Sequence, residues 1–219
     1  MKSDYTHIAI ILDRTGSMEA IRDDTIGGFN AFLNMQKTEL GSATLTLVQF
    51  DSQDPYEILH RFKPLADVPG LTRETFVPRA STPLLDAIGR GINDLEKSLA
   101  DLAEDERPSR VVMVIITDGQ ENASLEFRRD QIRKMIQEKQ ETSAWQFVFL
   151  SADLDAISDA LESGIVANRT LAHDKDGRGI GAAWASLSRH VSDYRTGQAE
   201  DVSFTEEDRA QQKIEKKRK

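Results

Sequence analysis

Asp13-Arg14-Thr15-Gly16-Ser17 sets a carboxylate and two hydroxyls two residues apart on a tight, glycine-containing turn. The turn follows the apolar run Ile8-Ala9-Ile10-Ile11-Leu12, which reads as a buried β-strand. Hard oxygen donors clustered at the carboxyl end of a strand suit a hard divalent cation such as Mg²⁺. In an open α/β sheet, that end is where ligands bind.

Two further segments carry the same chemistry. Thr82 lies in Ser81-Thr82-Pro83, at the start of the clearest helical stripe in the chain, and Asp118 lies in Thr117-Asp118-Gly119, directly after the run Val111 to Ile116. If the two apolar strands are neighbours where strand order reverses, their end loops face each other across a crevice. Asp13, Thr15, Ser17, Thr82 and Asp118 then supply two carboxylates and three hydroxyls, all oxygen. Mg²⁺ takes about six oxygens in octahedral array and usually keeps some waters. Hydroxyl ligands are neutral, so a cation held mainly by Thr15, Ser17 and Thr82 keeps much of its charge. Such a site suits the capture of a partner's Asp or Glu better than the storage of metal.

Each residue also has a plainer reading. Thr82-Pro83 looks like a helix N-cap followed by proline at the first helical position. Ser17 can cap the first helix, and Asp118-Gly119 is a common turn pair. Asp13 is the least easily dismissed, because a carboxylate directly after a buried run needs a partner. The conjunction of the three segments, in order and on suitable elements, favours the site.

The elements that must position these residues alternate between strand and helix, which predicts an α/β fold with a largely parallel sheet covered on both faces. Strands are expected at His7 to Leu12, Leu45 to Phe50, Tyr56 to Phe62, Val111 to Ile116, Trp145 to Leu150 and around Val166 to Leu171. Only a short link separates the second from the third, too short for a crossover helix, so these two form an antiparallel hairpin at a sheet edge. Helices are expected through Met18, Ile21, Thr25, Phe29, Phe32 and Leu33; through Leu85, Ile88, Ile92, Leu95, Leu99 and Leu102; from about Glu126 to Glu138; near Leu154 to Leu161; and through Ile180, Trp184, Leu187, Val191 and Tyr194. Gly27-Gly28 weakens the first of these by about 1 kcal/mol per glycine unless close packing on the sheet requires it. Residues 1–195 form the domain. Beyond about Thr196 the apolar pattern stops, and residues 196–219 read as a charged, solvated C-terminal tail ending in Lys213-Ile214-Glu215-Lys216-Lys217-Arg218-Lys219.

Composition narrows the partners. With 219 residues and a formal net charge of −9, the chain is poorly suited to nucleic acid or an anionic membrane. Cysteine is absent, so disulfides and thiolate metal sites are excluded. No apolar run approaches the ~20 residues of a membrane span. The polar start Met1 to His7 runs straight into the first strand, and a cytoplasmic location is expected. The four histidines, His7, His60, His173 and His190, fall on scattered elements with no nucleophile partner. The stretch His173-Asp174-Lys175-Asp176-Gly177-Arg178-Gly179 lacks the other ligands of a calcium loop and reads as a glycine-rich link into the last helix.

Taken together, Asp13-x-Thr15-x-Ser17, Thr82 in Ser81-Thr82-Pro83-Leu84-Leu85-Asp86-Ala87, and Asp118 in Ile115-Ile116-Thr117-Asp118-Gly119 resemble the metal-ion-dependent adhesion site of von Willebrand factor A (vWA) domains. The resemblance spans residues 7 to about 195. It implies a doubly wound, mostly parallel six-stranded sheet of order 3-2-1-4-5-6 with the third strand antiparallel. It also implies that Thr15, Ser17 and Thr82 give hydroxyls to Mg²⁺ or Mn²⁺, that Asp13 and Asp118 lie close by, and that one position stays open for a partner's carboxylate. Thr15 departs from the family's serine, which adds a methyl and stiffens χ1. Among vWA proteins the chain looks most like the intracellular bacterial or phage-type members, whose partners include AAA+ ATPases and other protein complexes. It is expected not to be an enzyme. The alternative is a Mg²⁺-dependent phosphotransferase or phosphatase similar to haloacid dehalogenases, with Asp13 as nucleophile.

Overall fold

The structure is a computed structural model and describes residues 2–214. Six strands form one sheet: β1 (Lys2–Asp13), β2 (Ser42–Phe50), β3 (Glu57–Pro64), β4 (Pro108–Thr117), β5 (Gln146–Ser151) and β6 (Thr170–Ala172). Their order is β3-β2-β1-β4-β5-β6. β3 alone runs antiparallel to its neighbour. This is the sheet the vWA resemblance implies, and the β2–β3 hairpin is the one expected from its short link.

The central strands are uniformly apolar because both faces of the sheet are covered. Ile8, Ile10 and Leu12 of β1, Val112, Val114 and Ile116 of β4, and Val148 and Leu150 of β5 meet α1 (Arg22–Thr38) and α5 (Gly177–Arg195) on one face. Ala9 and Ile11, Val111, Met113 and Ile115, and Phe147 and Phe149 meet α2 (Leu84–Ala100), α3 (Arg129–Ser143) and α4 (Leu154–Glu162) on the other. Strand alternation thus splits one run of residues between two cores.

Four local outcomes differ from the expectations. The last strand, expected around Val166 to Leu171, is only Thr170–Ala172, because Ala167–Arg169 winds into a 3-10 turn. The first helix opens as a 3-10 turn, Gly16–Ile21, before α1 begins. Gly28 serves helix packing and not the sheet: a Cβ there would stand 2.1 Å from Cδ1 of Trp184 on α5. The chain beyond residue 195 also departs from a solvated tail. Val202 and Phe204 are buried in the α1/α5 core, and α6 (Glu206–Ile214) follows. Asp208 on α6 accepts from Arg189 (2.7 Å) and His190 (2.8 Å) of α5. Burial alone would raise the Asp208 carboxyl, but the donors from Thr205 and His190 outweigh it and hold the group well below the usual carboxylate range. Two apolar anchors in a polar stretch are too few to form a visible period, which is why this docking escapes sequence reading. The charge run starts at Lys213, and its residues 215–219 lie outside the described residues.

His7 on β1 is completely buried. Its Nδ1 lies 2.8 Å from Thr44 Oγ1, and its ring stacks on Phe62 with centroids 3.8 Å apart. Burial pushes its pKa down to about 3, so the unfolded chain takes up a proton near pH 6.5 that the folded chain refuses. Stability tied to this residue is therefore intact at neutral pH and falls as the pH drops from about 6.5 toward 3. At pH 5 the loss is about 2 kcal/mol. Urea unfolding at pH 7 and pH 5 should show the wild type losing about that much more than His7→Phe, which keeps the stacked ring and cannot titrate.

Candidate metal centre

β1, β4 and the loop before α2 bring all five sequence-predicted residues together at the carboxyl ends of the central strands. Asp13 ends β1 and is fully buried. Its Oδ1 accepts from the Thr15 backbone amide and its Oδ2 from the Thr117 hydroxyl, each at 2.6 Å. Burial pushes the Asp13 carboxyl up to about 7 against those two hydrogen bonds, and the charge of Asp118 adds to the rise. A cation at this spot would favour the ionised form and reverse the effect.

Three hydroxyls form a chain across the two loops. Thr15 Oγ1 lies 3.2 Å from Ser17 Oγ, and Thr82 Oγ1 lies 3.4 Å from Thr15 Oγ1. Ser17 Oγ donates to Asp118 Oδ1 at 2.5 Å. Thr15, Thr82 and Asp118 are buried, whereas Ser17 is exposed, so the cluster opens to solvent on one side. Gly119 leaves the cluster room: a Cβ there would lie 3.7 Å from Ser17 Oγ and 4.0 Å from Thr82 Oγ1.

The plainer readings of Thr82 and Ser17 do not match the local geometry. The N-cap of α2 is Pro83, with no side-chain cap, so the Thr82 hydroxyl is not engaged in capping and faces Thr15. The N-cap of the first 3-10 turn is Thr15, without a side-chain cap bond, and Ser17 sits inside that turn.

Several contributors had no distinct sequence signal. Asp86 accepts from the backbone amides of Leu125 (2.8 Å), Glu126 (2.9 Å) and Phe127 (2.9 Å). Glu121 accepts from the Leu85 amide at 2.8 Å. Thr82 and Asn122 exchange two bonds, Thr82 N to Asn122 Oδ1 at 2.8 Å and Asn122 N to Thr82 O at 3.1 Å. The loop after β4 is thereby fastened to the start of α2. An Asp in the first helical turn reads only as a complement to the helix dipole. Arg14, inside the motif, turns away from the cluster. It donates to Asp51 at 2.7 Å and Gln49 at 3.2 Å, and it pairs with Glu57. Arg79 also reaches Asp51, at 2.9 Å.

The donor set fits a hard divalent cation. Oxygens bound about 2.1 Å from one octahedral ion stand about 3 Å apart along an edge, close to the two hydroxyl separations. Asp118 Oδ2 is buried and has no aligned hydrogen-bond donor; its neighbour is the Lys175 ammonium, a charge contact at 2.9 Å. Among the described residues, no group of three or more His, Cys, Asp or Glu side chains is arranged to hold a metal. Any ion held here therefore depends on the hydroxyls.

No protein-family model matches the chain, and no curated protein matches it in sequence. Solved structures do match. Proximal thread matrix protein 1 from the mussel byssus, with a zinc-occupied MIDAS motif, is 12% identical at a TM-score of 0.59 over 86% of this chain and 46% of its own. A von Willebrand factor type A protein from Catenulispora acidiphila is 10% identical at 0.54 over 88% of this chain and 43% of its own. Manganese-loaded TRAP protein from Plasmodium vivax is 14% identical at 0.52 over 78% of this chain and 69% of its own. The chain spans less than half the length of the first two. Sheet order, strand directions and these neighbours agree: this chain has the von Willebrand factor A fold.

Proposed function

We propose that the chain is a binding module, not an enzyme, that holds Mg²⁺ or Mn²⁺ at Asp13, Thr15, Ser17, Thr82 and Asp118 and uses it to capture an Asp or Glu side chain of a protein partner. The observation that carries this reading is the hydroxyl chain Thr15–Ser17–Thr82 above two buried carboxylates, open to solvent at Ser17. Neutral ligands leave a bound cation electrophilic, and an electrophilic ion on an open side favours a carboxylate from outside. Two neighbours of the same fold are described as zinc-occupied at a MIDAS motif and as manganese-loaded, which supports a divalent ion here. The net charge of −9 disfavours nucleic acid and anionic membrane as partners, and no described helix is long and apolar enough to cross a membrane. We place the module in the cytoplasm, with AAA+ ATPases and other complex subunits as the partner class.

The phosphotransferase alternative needs an accessible Asp13 nucleophile. Asp13 is instead fully buried with both oxygens hydrogen-bonded, which supports the binding reading. The test is affinity capture from cell extract in Mg²⁺, in EDTA and with Asp13→Ala. Loss of the same partner under EDTA and in the variant is expected; unchanged capture in both overturns the proposal. Asp13-dependent hydrolysis of p-nitrophenyl phosphate would favour the enzyme instead.

A further inference from the structure

Lys175 belongs to the glycine-rich link into α5, yet its ammonium lies at the candidate metal centre. Nζ stands 2.9 Å from Asp118 Oδ2 and 3.5 Å from the Asp118 carbonyl oxygen. The Asp118 side chain is 1% exposed and that of Lys175 is 46% exposed. One member of the pair is therefore fixed, and the other can swing into water on a flexible four-carbon stem.

The chain on either side of Lys175 is anchored. The His173 amide donates to the Ser151 carbonyl at 2.9 Å, at the end of β5. The Asp176 carboxylate caps α5 by accepting from the Gly179 amide at 2.9 Å. Gly177 lies against Asp24 of α1, where a Cβ would meet the carboxylate at 2.3 Å. Between these anchors the lysine stem is what remains free to move.

We propose that Lys175 is a resident counter-cation that sets the metal affinity of the site. Without a divalent ion its ammonium compensates Asp118. A divalent ion arriving beside Asp118 repels the ammonium and displaces it to the rim. The pair stabilises only the metal-free form, so it weakens metal binding by the free energy of its own contact. It also gives the site a threshold: at low metal concentration the carboxylate stays paired, and the module is not left with a bare buried charge. The displaced ammonium then stands next to the open side, where it is a second contact for an acidic partner.

This inference rests on the reading of the centre as a divalent-cation site, and the experiment separates the two. Mn²⁺ binding is measured by calorimetry for wild type, Lys175→Met and Lys175→Arg, with melting of each metal-free protein. Lys175→Met should bind Mn²⁺ about fivefold tighter, the weight of a half-exposed ion pair, and its metal-free form should melt lower. Lys175→Arg keeps the charge and should stay near wild type, which shows that the loop itself is intact. Equal or weaker Mn²⁺ binding by Lys175→Met, with wild type binding, overturns the role of Lys175 and leaves the site standing. Absence of Mn²⁺ binding in both proteins overturns both.

Discussion

Saturating Mg²⁺ or Mn²⁺ should raise the melting temperature of the wild type by roughly 5–10 °C, and Asp118→Ala should abolish the rise. The size follows from linkage: an ion at about a hundred times its Kd stabilises the folded chain by about 2.7 kcal/mol, and a domain of this size shifts by about 2–4 °C per kcal/mol. Asp118 is the side chain through which the two halves of the centre meet, because Ser17 reaches it from the first loop and Lys175 from the last. Its removal takes away one of the two carboxylates and leaves the neutral hydroxyls with Asp13 alone, whose own carboxyl is pushed up to about 7 by burial, too little charge to dehydrate Mg²⁺. Metal-free Asp118→Ala should stay folded, since its former partners, Ser17 and Lys175, both reach solvent. Thermal melting with and without metal, compared with Thr82→Ala, checks the assignment. Thr82→Ala loses one neutral oxygen and should show a reduced shift at the same ion concentration. A wild type whose melting ignores both ions would mean that the cluster is ordinary loop chemistry.

The second large effect lies far from the centre, in the contact between α1 and α5. Trp184 is fully buried, edge-on to Phe29 at 6.0 Å and tilted against Phe32 at 5.7 Å. Gly28 is the reason it fits. Gly28→Ala should destabilise by about 2–3 kcal/mol through overpacking, although alanine is the better helix former. Gly27→Ala, one residue away, meets nothing within 4 Å and should stabilise by up to about 1 kcal/mol. Trp184→Ala should cost about 3–5 kcal/mol. The double variant Gly28→Ala with Trp184→Ala should cost clearly less than the sum, because the methyl occupies space that the indole vacates. Denaturant unfolding of the four proteins decides this; equal effects of the two glycine substitutions would refute it.

The pair Gly27-Gly28 marks where local pattern reading stops. Two adjacent glycines look alike in a sequence, and only the tertiary partner distinguishes them. The same division runs through the whole fold. β1, β4 and β5 were legible because burial on both faces makes a strand continuously apolar, and the β2–β3 hairpin was legible from its link length. α6 was not, since Val202 and Phe204 precede it without any period. At the centre, Asp13, Thr15, Ser17, Thr82 and Asp118 stood out through residue type at the ends of strong elements. Asp86, Glu121 and Asn122 act through backbone amides, so Asp86 reads as an ordinary acid in the first turn of α2 and the other two as ordinary polar loop residues. Lys175 reaches Asp118 across 57 residues, and a lone lysine in a turn carries no pattern at all.

The bonds from Asp86, Glu121 and Asn122 join the loop after β4 to the first turn of α2. Thr82 and Asp118 consequently sit on one braced unit, and the turn carrying Thr15 and Ser17 is tied to the segment before Thr82 by Gly16 N to Ala80 O (3.1 Å) and Arg79 N to Arg14 O (2.9 Å). Such a frame cannot spread on the Thr82 side without breaking several amide contacts at once. On the proposed function, ions and waters would therefore trade places past the solvent-facing Ser17.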